Sequence, residues 1–85
     1  MSDELETMAA EELDAACAMP FVELKKITPW GDSYEGFAPS GRTVEVERRY
    51  LWAVEPEGGV VVEVEVRDRA ARTGAEARAL LTPGE

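Results

Sequence analysis

The residue types in this chain best suited to chemistry are its carboxylates. Glu45 and Glu47 stand two positions apart, and so do Glu63 and Glu65. That spacing turns both members of each pair to one side of a β-strand. Two carboxyl groups roughly 5–9.5 Å apart across a cleft, one of them with a raised pKa, would suit glycoside hydrolysis. Alternating glutamates on the wet face of a sheet satisfy the spacing without any cleft, and a domain this small has little room for one beside a complete core. The 85 residues include no histidine and one cysteine, Cys17. The usual general base near neutral pH and the Cys/His ligand sets of zinc are therefore missing. The acidic stretch from Asp3 to Asp14 lacks the alternating Asp/Asn ligands and central glycine of a calcium loop. Ser33 and Ser40 fall in or beside turns, with no base to activate them. Cys17 lies among acids that raise a thiol pKa. Lys25 and Lys26, read as strand residues, face opposite sides. Gly58-Gly59 is not followed by the Lys-Ser or Lys-Thr of a phosphate loop. Binding rather than catalysis is the expectation, with no enzyme activity, no metal and no cofactor.

Acidity is the dominant surface property. Eighteen acids against nine bases give a net charge of −9, which argues against direct binding of nucleic acid phosphates. The charge is uneven: −7 over residues 1–24, −3 over 25–66 and +1 over 67–85. Net charge serves solubility, but carboxylates on a rigid face can also imitate phosphates and enter a basic groove. Two patches qualify. One is the sheet cluster Glu45, Glu47, Glu63 and Glu65; the other is the helix cluster Glu4, Glu11, Glu12 and Asp14. The sheet cluster is preferred, because strands hold carboxylates at fixed spacing while a helix with a thin apolar stripe frays. Trp30 and Tyr34, beside the first turn, are the candidate aromatic contacts, since exposed aromatics next to charge often anchor interfaces. Tyr50 and Trp52 are expected in the core.

These side chains need elements to position them. Residues 3–18 read as a helix, capped by Ser2, with acids at its positive end and Leu5, Met8, Ala9, Leu13 and Ala16 on one side. Pro20 ends it. Phe21–Ile27, Ser33–Ala38, Thr43–Glu55 and Val60–Arg67 read as strands, separated by turns at Trp30-Gly31-Asp32, Pro39–Arg42 and Pro56–Gly59. Val62, Val64 and Val66 alternate cleanly with Glu63 and Glu65. A three-residue loop, Glu57–Gly59, would pair Val54 with Val62, Trp52 with Val64 and Tyr50 with Val66. The other face would then carry Glu45, Glu47, Arg49, Leu51, Ala53, Glu63, Glu65 and Arg67. Thr73-Gly-Ala-Glu76 fits a capping box, so the tail from Arg69 to Leu81 reads as a short helix closed by Pro83-Gly84.

The expected fold is α+β: an N-terminal helix, a four-stranded antiparallel β-meander and a short C-terminal helix. Residues 1–85 form one domain, with an acidic helix over 1–19, the sheet over 20–67, and the short helix and tail over 68–85. No stretch suits a bilayer span and the acidic start suits no signal peptide, so a cytoplasmic protein is expected. The expected function is stoichiometric inhibition of a nucleic-acid-handling complex through its basic DNA- or RNA-binding surface. In size and charge alone, with no matched residues, the chain resembles small acidic phage-borne proteins of the anti-CRISPR and anti-restriction type. The expected partner is a protein with a basic groove, with no direct nucleic acid and no membrane. A monomer is favoured over a homodimer, which stays open. The alternative is a homo-oligomeric structural or accessory protein of a bacterium or phage.

Overall fold

The structure is a computed structural model that describes residues 4–55 and 58–82. Ser2, Pro56, Glu57 and Pro83-Gly84, to which the sequence assigns capping and turn roles, lie outside the described residues. Helix α1 spans Glu4–Cys17 and α2 spans Phe21–Ile27. Strands β1 (Gly31–Phe37), β2 (Thr43–Trp52), β3 (Val60–Asp68) and β4 (Thr73–Leu81) follow. They form one antiparallel sheet in the order β1-β2-β3-β4. The class is α+β with a four-stranded antiparallel meander, of which β1, β2 and β3 overlap expected strands and β4 does not.

Two elements differ from the sequence reading. Phe21–Ile27 is a helix, not a strand. Its apolar residues Phe21, Leu24 and Ile27 recur every third position, which serves a one-sided helix, and Pro20 stands at its N-cap. Lys25 and Lys26 are both exposed at its C-terminal end, where the dipole favours cations, rather than on opposite faces of a strand. The tail is a strand, not a C-terminal helix. Without β4, the central strand β3 would leave a row of backbone groups unpaired beside a buried valine face. Pairing with β3 outweighs the weak β-propensity of alanine and the local capping box.

The register of β2 on β3 also differs. Tyr50 faces Val62, Trp52 faces Val60, and Val46 faces Val66. The connection runs over residues 53–59, closed by a hydrogen bond from the Ala53 amide to the Gly59 carbonyl at 2.8 Å, and Val54 is 93% exposed instead of paired with Val62. The displacement is an even number of residues, so the faces are unchanged. Val44, Val46, Tyr50, Val60, Val62, Val64 and Val66 are buried on one face. Both helices cover that face. Leu5 and Ala9 of α1 pack on Val44, Val46, Val64 and Val66. Ala16 and Leu24 pack on Tyr50, Val60 and Val62. Leu13 touches both groups.

One network ties the turns to α1. The Glu4 carboxylate accepts a hydrogen bond from the Ser40 amide at 3.1 Å and one from Arg42 Nε at 2.7 Å. Arg42 Nη1 donates to the buried Asp68, which also accepts the Ala71 amide. The β1–β2 turn relies on Gly41, whose φ of 97° suits glycine. Among the described residues no helix is long and apolar enough to cross a membrane.

Candidate functional site

The sheet has two unlike faces, and the candidate residues divide between them. On the face away from the helices, the register builds rows across the strands. Ser33, Glu47, Glu65 and Glu76 form one row; Gly31, Arg49, Glu63 and Arg78 form the next. Glu35, Glu45, Arg67 and Gly74 flank the first row on its other side. Like charges opposite one another repel, and arginines resolve the conflict. Arg49 lies 3.1 Å from Glu47, 3.0 Å from Glu63 and 3.6 Å from Glu65. Arg67 lies 2.8 Å from Glu45, 3.3 Å from Glu47 and 2.9 Å from Glu65. Arg69 closes on Glu45 and Arg78 on Glu63. The structure thus brings Glu45, Glu47, Glu63 and Glu65 together, and each is held by two guanidinium groups. The Arg67 hydrogen bond holds the Glu45 carboxyl below its ordinary value, with burial opposing. Exposed ion pairs add little singly, but a shared ladder fixes side-chain positions. Beyond it, Leu51, Val61 and Leu80 form an apolar row.

The helix-cluster residues are split. Glu4 is committed to Ser40 and Arg42; the Ser40 hydroxyl is the main cause of its lowered pKa. Glu12 pairs with Arg48 at 3.7 Å. Glu11 and Asp14 are exposed, as is Glu6, and none of these three has an ion-pair partner among the described residues. Cys17 is partly buried on the same helix, with its thiol pKa raised by burial and then by Asp14, so it is a poor nucleophile.

The aromatic candidates converge with a residue the sequence reading left unplaced. Arg48 interrupts the valine series of β2 and stands on the helix side, opposite Asp32 and Val64. Its Nε donates to Asp32 Oδ1 at 2.9 Å, and its guanidinium lies 5.6 Å from the centre of the Tyr34 ring. Desolvation raises the Tyr34 pKa first, and a hydrogen bond to Glu12 adds to it. Trp30, 71% exposed, stands just before β1. Met19, Ile27, Trp30, Gly31, Asp32, Arg48 and Tyr50 enclose an open cavity of about 330 Å³. Gly31 is required there, because a Cβ would run into the Arg48 carbonyl oxygen. Alternation along β2 could have flagged Arg48, since a charge at an inward position must find a partner.

The fold and surface define a two-layer α+β domain with an arginine-laddered ionic face on one side. On the other side are an acidic helix and an aromatic cavity. No family model, no curated protein and no solved structure matches the chain.

Proposed function

We propose that the chain is a non-catalytic protein-binding domain, a stoichiometric inhibitor that occupies the basic nucleic-acid-binding surface of a larger complex. The observation that carries this reading is an asymmetry of charge compensation. On the sheet face, Arg49, Arg67, Arg69 and Arg78 already hold the carboxylates of Glu45, Glu47, Glu63 and Glu65, and only Glu35 and Glu76, exposed on the two edge strands, stand outside that ladder among the described residues. On the helix side, Glu6, Glu11 and Asp14 stand exposed without ion-pair partners among the described residues. Exposed Trp30 and Tyr34 lie on that side too. Uncompensated charge steers encounter, and aromatic groups supply the anchor. The contact therefore runs through the helix side, with the sheet ladder as its rigid support. The proposal places the protein in the cytoplasm, where a lone free cysteine stays reduced.

Charge reversal tests the reading. Isolation of the partner at low salt, followed by titration of its labelled nucleic acid complex with this chain, should release the nucleic acid. Glu11→Lys with Asp14→Lys should abolish release, whereas Glu63→Gln should not. Release unaffected by both changes would remove charge from the account. A second reading, self-association, is favoured by one observation: the exposed Leu51 and Leu80 beside Val61 at one end of the open sheet face. Light scattering separates the two, because a salt-resistant dimer follows only from the second.

A further inference from the structure

We infer that the cavity beside β1 receives an arginine side chain of the partner, its guanidinium stacked on Trp30 and bonded to Asp32. The inference rests on the basic-partner reading above and names the anchor within it. Three observations carry it. First, the cavity is apolar along Met19, Ile27, Trp30 and Tyr50 and polar at Asp32 and Arg48. That is the profile of a long aliphatic stem ending in a planar cation. Second, the charge around Arg48 is incomplete: its single guanidinium is shared by Asp32, in the cavity lining, and Glu12, outside it, which leaves a net charge of −1 over the three groups. Third, this chain repeatedly lets one carboxylate take two guanidinium groups. Glu45 takes Arg67 and Arg69, and Glu63 takes Arg49 and Arg78. Asp32 has one, Arg48, which donates to both of its oxygens, and its side chain is 53% exposed. A second guanidinium reaches the exposed Asp32 carboxylate and the exposed Trp30 ring within this cavity, which Tyr50 also lines. Arginine suits this geometry better than lysine because its plane can stack and fork at once.

The test is two-dimensional amide and indole NMR of the full chain, titrated with a capped hexa-arginine peptide and, separately, with hexa-lysine. The expected result is saturable shifts at the Trp30 indole and at Gly31 and Asp32, with hexa-arginine binding more tightly. Trp30→Ala should weaken hexa-arginine binding by about threefold to thirtyfold, the range of a cation–π contact from exposed to desolvated, and Asp32→Asn should weaken it too, by removing a charge-assisted hydrogen bond. Retained amide dispersion establishes that both variants fold. Shifts confined to α1, or equal affinity for both peptides unaffected by Trp30→Ala, would overturn the cavity assignment while leaving a basic partner in place. Saturable binding of neither peptide would overturn the assignment together with the reading beneath it.

Discussion

Replacing Val64 with alanine should be among the most costly single changes in this fold. Val64 is fully buried on the central strand, between Arg48 on β2 and Ala77 on β4, and it packs in the group that contains Leu5 and Ala9. The change removes two methyl groups, worth about 1.6 kcal/mol in transfer at about 0.8 each. If the site does not collapse, a void of roughly 50 Å³ adds about 1.2 kcal/mol. Collapse is restricted because two of the neighbours, Ala9 and Ala77, end in a single methyl, and Glu4 holds α1 to the β1–β2 turn. The sum, about 2–3 kcal/mol, is a large part of the roughly 4–13 kcal/mol available to a domain of this length. Urea denaturation followed by circular dichroism should show the midpoint fall with an unchanged slope, and the melting temperature should fall by about 8–20 °C. Val61→Ala, at a half-buried position on the opposite face, should cost under about 1 kcal/mol. A Val64→Ala cost below that of Val61→Ala would refute the assignment of faces on β3.

Other expectations bear on the turn, the acid limb and the cavity. Gly41→Ala should destabilise by about 1–2 kcal/mol in the same urea assay. There is open space around it, but its φ is 97°. Glu4 and Glu45 have folded pKa values below their ordinary 4.5. Their contribution is therefore complete above about pH 4.5 and is lost as pH falls through the lower folded values. Melting temperatures from pH 7 to pH 3 should decline on that limb, and the decline should be shallower in Glu4→Gln. Trp30→Ala should change stability by less than about 0.5 kcal/mol, because the side chain is 71% exposed. Calorimetry against the isolated partner should nevertheless show weakened binding.

What could be read from the sequence follows from where its patterns are one-dimensional. The valine alternation of β3 and the Leu5–Ala16 stripe of α1 set the buried faces correctly, since each depends on local periodicity alone. Phe21–Ile27 misleads because a seven-residue segment with Phe21, Val22 and Ile27 satisfies strand propensity as well as a one-sided helix. Thr73–Leu81 misleads because alanines and a capping box favour a helix locally, while the need to pair β3 is set elsewhere in the chain. The β2–β3 register depends on a loop of seven residues, 53–59, where the glycines alone suggest three. That displacement decides which arginine meets which glutamate, so the ionic ladder was invisible even though its residues lay on the expected face. The Arg48–Asp32 pair was hidden for a different reason: β1 begins at Gly31, inside what reads as a turn.

The central proposal is that this chain takes the place of nucleic acid on a basic protein surface. The most direct measurement is fluorescence anisotropy of labelled nucleic acid bound to the isolated partner, as the chain is added at fixed low salt. The account predicts loss of anisotropy with a break at one equivalent of chain per partner, and no such loss with the Glu11→Lys, Asp14→Lys variant. A complex in which chain and nucleic acid are bound to the partner together, with anisotropy undiminished past one equivalent, would contradict it.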